Sequence, residues 1–475
     1  MHMTTRFTSI RGSATKPVGC RFYEESAVKI EDMIIVSVDD HIVEPPTMYD
    51  QHISAQHRGI APELRKDKNG VEFWLYEGRR TGAIGLNAVV GRVKEEYGCE
   101  PVSLQQMRKG AWDIDARIDD MNANGILSSL NFPSVVMFDG FLFHGMQDKA
   151  NALIILRAYN DWHIDEWCGS YPGRNIPNAI LPYWDIEATV EEIRRVASKG
   201  CHNVSFSDNP AIKGYPSIHN EHWEPMWKAC VENDMCINIH IGSGAQAPHA
   251  SMESPIDAWI TTMPISIVNS AADWLFMKAL QKYPLKIALS EGGIGWIPYF
   301  LERADFSFQQ HHAWTHSDFG PGRKPSDLFR EHFLTCFVDD KFGLANIAAI
   351  GEDNIAYECD YPHSDTLWPD VPEILHESLK HLTDVQIDKI SHGNALKRFN
   401  FDAVGMLGGR ENCTVGALRK LATHIDTSPQ SFGGPAPLAP GEVRRGVTSG
   451  DIIKMFMDVA KEDGATAQPV LEPAE

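Results

Sequence analysis

The residues best placed for chemistry stand at the ends of short apolar runs. Val36-Ser-Val-Asp39-Asp-His41-Ile-Val-Glu44-Pro-Pro46 passes from a β-branched stretch into an acid, a histidine, a second acid and two prolines. The stretch suits a buried strand, and the prolines forbid its continuation. Residues i and i+2 of a strand share a face, so Asp39 and His41 project together. A carboxylate beside an imidazole is half of a metal site. Three further runs end alike. Cys236-Ile-Asn-Ile-His240 stops in a histidine flanked by small residues, and Ile287-Ala-Leu-Ser-Glu291 in an acid before Gly-Gly. Ile355-Ala-Tyr-Glu-Cys-Asp360-Tyr-Pro-His363-Ser-Asp365 ends in an acid, a histidine and another acid.

Singly, each ending has an ordinary explanation: a satisfied core histidine, a carboxylate capping the next helix, a polar turn. Together they form a set of donors that no lysine or arginine at the strand ends balances. Burying that many carboxylates is costly without a cation. Asp39, His41, Glu44, His240, Glu291, Asp360 and His363 are therefore candidate ligands of a divalent metal. Imidazole and carboxylate without thiolate suit Zn, Mn or Fe. Seven donors exceed the needs of one ion. One ion per chain, with the surplus carboxylates holding histidines in place, is the simpler expectation, and two ions the alternative.

Such endings converge only if the elements behind them do. Apolar runs recur at 33–38, 126–132, 179–184, 201–206, 236–241, 285–290, 333–338 and 355–359, with helix-like segments between them. Eight strand–helix alternations predict an α/β fold, a (β/α)8 TIM barrel whose reactive groups gather at the C-terminal strand ends. The expected organisation is an N-terminal arm (1–32), a barrel (33–400) with an insertion after strand 1 at about 51–115, and a C-terminal extension (401–475). That extension reads as a Pro/Gly/Ser linker at 428–440 followed by an amphipathic helix at 449–461, suited to an oligomer contact or to packing on its own domain. Two more residues are candidate substrate contacts: His312, in the His311-His312-Ala-Trp-Thr-His316 cluster, and Trp368. The loop at 304–330 and the insertion, with Phe73, Trp74, Phe306, Phe308 and Trp314, are expected to shape the pocket.

Composition narrows the partners. Of 475 residues, 43 are basic and 64 acidic, a net charge of −21 that disfavours nucleic acid and anionic membranes. No apolar run approaches the roughly 18 residues of a membrane span, and residues 1–16 carry no secretory pattern. Nine scattered cysteines without Cys-x-x-Cys spacing read as reduced thiols in a cytoplasmic protein. A homo-oligomer acting on a small molecule is expected, with a related partner subunit as the variant. Dinucleotide, P-loop and Gly-x-Ser-x-Gly motifs are missing.

The ordered set Asp39-x-His41-x-x-Glu44-Pro-Pro, His240, the Gly-Gly turn and Asp360-Tyr-Pro-His363-x-Asp resembles the amidohydrolase superfamily over about residues 33–400. It is most similar to the amidohydrolase-related branch, which includes aminocarboxymuconate-semialdehyde decarboxylase and resorcylate-type decarboxylases. The resemblance implies Asp39 and His41 as strand-1 ligands, His240 as the strand-5 ligand and Asp360 as the strand-8 ligand, Asp360 also taking the proton of the attacking water. It implies hydrolysis of a C–N or C–O bond or non-oxidative decarboxylation of a small organic acid, with His240 or His363 stabilising developing charge. Three departures stand out: Asp-x-His replaces His-x-His, Glu291 stands where many relatives have a histidine, and strand 4 offers no lysine for a carbamylated bridge. A few barrel relatives with a similar carboxylate-rich pattern are dinuclear iron hydroxylases, which makes an iron oxygenase the alternative. A non-catalytic scaffold subunit is the second alternative.

Overall fold

The computed structural model describes residues 27–459 except 83, 99–100, 245–249, 434–438, 440 and 442, together with 468–469. Eight parallel staves form the core. They are β1 (Val36–Ile42), β2 (Ser128–Pro133), β3 (the two short segments Asn175–Ile176 and Ala179–Ile180), β4 (Asn203–Ser205), β5 (Cys236–His240), β6 (Lys286–Ser290), β7 (Phe333–Phe337) and β8 (Ile355–Tyr357). β1 lies between β2 and β8, while the halves of β3 pair with β2 and β4, so the sheet closes on itself. All of these pairs are parallel. This is the expected (β/α)8 barrel. The third stave differs from the 179–184 run: Pro177, which cannot donate to a ladder, divides it, and pairing ends at Ile180.

Alternation sorts the side chains into two layers. Val36, Val38, Leu130, Phe132, Ile176, Cys236, Ala288, Leu334, Cys336 and Ala356 come from seven staves yet form one buried cluster, which fills the lumen. Their neighbours, such as Ile237, Ile239, Ile287, Leu289, Phe333 and Tyr357, pack outward with Trp227, Trp274 and Leu301 of the surrounding helices. Burial of that kind supplies about 25 cal/mol per Å2 of apolar surface, and truncating a fully buried tryptophan such as Trp274 costs about 3–5 kcal/mol.

Three elements matter for the site. β1 carries a bulge: its register against β2 slips by one residue between Ser37 and Asp40. The extra residue lets Val36 and Val38 fill the lumen below while Asp39 and His41 turn inward above. Helix α1 (Ile114–Asn124) joins β1 to β2, capped by the Asp113 side chain, which accepts from Ala116 N, and closed by left-handed Gly125. Helix α2 (Ile297–Thr315) follows β6 and overturns the loop expected at 304–330. No glycine or proline interrupts the chain between Pro298 and Gly320, so the helix continues, and Pro325–His332 is helical as well.

The insertion holds an antiparallel sheet of Glu63–Lys66, Glu72–Tyr76 and Arg79–Arg80. In the extension, Val415–Arg419 packs under β1, Val415 N donating to Met33 O at 2.8 Å. The helix at Ser449–Val459 begins against its own chain, Ser449 N donating to Ser254 O at 3.0 Å. No described helix is long and apolar enough to cross a membrane.

Candidate metal centre

β1 and β8 stay zipped beyond their last ladder pair. Asp360 N donates to Asp39 O at 2.8 Å, and His41 N donates to Tyr361 O at 2.7 Å. Those two bonds set strand-1 and strand-8 donors face to face. β5 delivers His240, whose Nδ1 lies 2.6 Å from Ile241 O and therefore carries the proton, leaving Nε2 as the free acceptor. Left-handed Gly242 (φ 71°) then turns the chain away.

The donors meet closely. His41 Nε2 lies 3.3 Å from His240 Nε2, 3.6 Å from Asp39 Oδ1 and 3.3 Å from Asp360 Oδ1. His240 Nε2 lies 3.5 Å from Asp39 Oδ2 and 2.9 Å from Glu291 Oε2. His363 Nδ1 lies 2.9 Å from Asp360 Oδ1, and its ring stacks on His41 with centroids 3.8 Å apart. Two donor triads result, Asp39–His41–His240 and His41–Asp360–His363, which share His41. All five residues are buried.

Electrostatics explains why such a cluster calls for a cation. Burial, and then the charges of Glu358, Glu291 and Asp360, push the Asp39 carboxyl well above its ordinary range. Burial, followed by the neighbouring His363 and His240, holds the His41 imidazole neutral far below its ordinary value. Among the described residues, neither oxygen of Asp39 or of Asp360 takes part in a geometrically sound hydrogen bond. Buried carboxylate oxygens without donors, facing the Nε2 atoms of His41 and His240, fit a divalent ion. Asp39, His41, His240 and Asp360 would hold it, with Glu291 and His363 at the edge of the set.

Glu291 and Asp360 both adopt left-handed backbone (φ 59° and 57°), a conformation non-glycine residues rarely accept. Such strain persists where the surroundings over-determine it. At Glu291 the fixing contact is its N–H, which donates to Glu358 Oε2 at 2.9 Å.

Three candidates stand apart from the cluster. Glu44 belongs to neither triad. Its carboxylate accepts from Val135 N at 2.9 Å and from Val136 N at 3.3 Å, which pins the loop after β2. His312 is exposed on α2, its Nδ1 2.9 Å from Phe308 O, in a turn of helix rather than over the mouth. Trp368 is packed: its indole N–H donates to Asp120 O at 3.1 Å and its ring lies under the Arg108 guanidinium. The aromatics expected around the pocket part similarly, since Phe73 and Trp74 are core residues of the insertion while Phe306 and Trp314 are exposed on α2.

Other residues at the centre escaped the sequence reading. Glu358, two residues before Asp360, is a further buried carboxylate; burial, together with Glu291 and Asp360, raises it to about 8, and the Cys336 thiol donates to it. The i, i+2 spacing from Asp360 was its signal. Phe138, from the loop Glu44 holds, lies with its ring 4.0 Å from that of His240 and 5.2 Å from that of His41. A separate cavity of about 800 Å3 beside the strand-1 prolines is lined by Pro45, Pro46, Trp112, Trp162 and Trp167 and by none of the triad residues.

The amidohydrolase family model (Amidohydro_2) matches residues 49–401, a span that begins just after Asp39 and His41. No curated protein matches the chain. Among solved structures, an amidohydrolase from Mycobacterium avium subsp. paratuberculosis is 18% identical with a TM-score of 0.58, covering 77% of this chain and 99% of its own. The 5-carboxyvanillate decarboxylase LigW from Sphingomonas paucimobilis is 18% identical with a TM-score of 0.52, over 78% and 99%. The 5-carboxyvanillate decarboxylase from Novosphingobium aromaticivorans, with bound manganese and 3-methoxy-4-hydroxy-5-nitrobenzoic acid, is 17% identical with a TM-score of 0.54, over 80% and 100%. These likenesses are likenesses of fold; the family match covers most of the sequence, and on it the chain belongs to the amidohydrolase family of metal-dependent enzymes.

Proposed function

We propose that this enzyme hydrolyses a C–N or C–O bond of a small organic acid, or removes its carboxylate without oxidation, using one divalent ion held by Asp39, His41, His240 and Asp360. The observation that carries the reading is the pair of buried carboxylates, Asp39 and Asp360, whose oxygens lack sound hydrogen bonds while facing the Nε2 atoms of His41 and His240. An ion bound there supplies Lewis acidity, polarising a substrate oxygen and acidifying water. Asp360 accepts the proton that water gives up, or returns one to the carbon that loses its carboxylate. His363, whose Nδ1 lies 2.9 Å from Asp360 Oδ1, is near enough to relay the proton outward. Phe138 and Phe132, packed on His240, exclude water from the ligand rings.

Metal analysis of the purified protein is the first test. About one Zn or Mn per chain supports this reading; the loaded enzyme is then assayed against amides, esters and aromatic acids, with acid release separating hydrolysis from carbon dioxide release. Activity that survives complete metal removal sinks it. One observation favours a second reading: with Glu291 and His363 beside the four ligands, the cluster offers more donors than one ion needs. Two Fe per chain with oxygen consumption would establish an oxygenase instead.

We also place the enzyme in the cytoplasm as a homo-oligomer. The described cysteines are all free and buried, which suits a reducing compartment, and Tyr299, Phe306 and Trp314 expose large aromatic surface along α2.

A further inference from the structure

Arg117, on α1, is fully buried, an unfavourable place for a guanidinium unless it is hydrogen-bonded and paired. Each of its three nitrogens has an acceptor. Nε donates to Gly110 O at 2.6 Å, Nη1 to Asn131 Oδ1 at 2.9 Å, and Nη2 to the carbonyl of His41. Asp40 Oδ2 lies 3.9 Å from Nη1, and the guanidinium carbon sits 4.3 Å from the centre of the Tyr361 ring.

The His41 peptide is thereby clamped from both sides: its N–H by Tyr361 O, its carbonyl by Arg117. Tyr361 is itself fixed, its N–H donating to Asp40 Oδ1 at 3.1 Å and its hydroxyl to Asp120 Oδ2 at 2.6 Å, with Arg108 bonded through Nε and Nη2 to the same carboxylate. Asn131 carries the hold onward to β3 by donating to Asn175 Oδ1 at 3.1 Å. One side chain therefore binds β1, β2 and the turn before α1 at the residue both donor triads share.

We propose that Arg117 is a positioning residue of the metal centre, holding the His41 backbone so that its imidazole points at the ion. The inference rests on the reading of Asp39, His41, His240 and Asp360 as ligands. Arg174 provides an internal comparison. It too is buried and bonds to backbone carbonyls, Leu127 O at 2.6 Å and Ile126 O at 3.1 Å, but it does so at the opposite end of β2. A merely structural arginine behaves like Arg174.

The test uses full-length protein loaded with Co(II), read by chelator competition, by its visible ligand-field spectrum and by thermal unfolding, in the wild type, R117M, R117K and R174K. The expected result is Co(II) binding weakened about tenfold or more in R117M with altered visible bands. R117K, which keeps the charge and one donor, recovers part of that affinity. R174K lowers Tm with affinity and spectrum unchanged. R117K keeps the comparison decisive if R117M does not fold, since it too must bind less tightly than the wild type. Wild-type affinity and spectrum in the folded Arg117 variants, or an equal loss of affinity in R174K, overturns the proposal. A wild-type chain that takes up no Co(II) overturns the ligand reading itself, and this inference with it.

Discussion

In the proposed mechanism Asp360 joins ion binding to proton transfer, whereas Glu44, from the strand-1 motif, does neither. The two separate cleanly by substitution. Asp360→Asn keeps the shape and a coordinating oxygen but not the basicity, so turnover should fall about 100- to 10,000-fold while the bound metal stays near the wild-type amount. Steady-state kinetics beside metal analysis checks this; a parallel loss of both would make Asp360 a ligand and nothing more. Glu44→Ala leaves the Val135 and Val136 amides without an acceptor in a buried place. It should cost about 1–3 kcal/mol in denaturant unfolding with metal stoichiometry unchanged. The strand-end rule found the donors that meet at the mouth because it depends only on alternation and on where apolar runs stop. It could not tell Glu44 from them, since the amides that claim its carboxylate lie about 90 residues away in sequence. Arg117 was invisible for the same reason: nothing around it in α1 names a partner on β1.

Among the elements, the turn before α1 has the least slack. A Cβ on Gly110 would lie 2.4 Å from Asp120 Oδ2 and 2.6 Å from the Tyr361 hydroxyl. The same residue offers the carbonyl that receives Arg117 Nε. Gly110→Ala must push Asp120 and Tyr361 apart, so it should destabilise by about 1–3 kcal/mol and weaken metal binding as well. Calorimetry with a metal titration reads both, and an unchanged Tm would show that the turn yields. At this scale the sequence announced the alternation of strands and helices but not their limits. Pairing in β3 stops where Pro177 lacks an N–H, and α2 runs on because no breaker stops it. The β1 bulge has no local signature; it follows from matching seven residues of β1 to a shorter stretch of β2.

For the whole molecule, the carboxylates around the mouth make stability depend on pH in an unusual direction. Burial raises Asp40 and Glu44 to about 7 and Glu358 to about 8. In the unfolded chain such groups titrate near 4. Each is raised in the folded state, so the folded protein binds more protons between these limits, and its stability declines as pH rises through them. The metal-free protein should therefore melt at a lower temperature at pH 9 than at pH 7, a window above the range near 6.5 in which the lowered, buried His41, His144, His163 and His392 act in the opposite sense, and added Zn or Mn should narrow the difference by stabilising the ionised carboxylates. Calorimetry after chelator treatment checks this; a Tm that rises with pH would contradict it. Paired surface carboxylates such as Glu352 and Asp161 do not confuse the test, because their lowered values lie below that window.

The pairing of β1 with β8 brings together residues more than 300 positions apart, and of the proposed ligands Asp39 and His41 lie at one end of that span, Asp360 at the other and His240 between. During synthesis the ribosome releases Asp39 and His41 long before Asp360 and His363 exist. A nascent chain can hold no complete donor set until its last stave docks against its first, so ion capture marks the moment of ring closure. On the proposed ligand set, chains truncated before residue 350 should stay metal-poor however much ion is supplied, the metal then selecting finished barrels rather than seeding their construction.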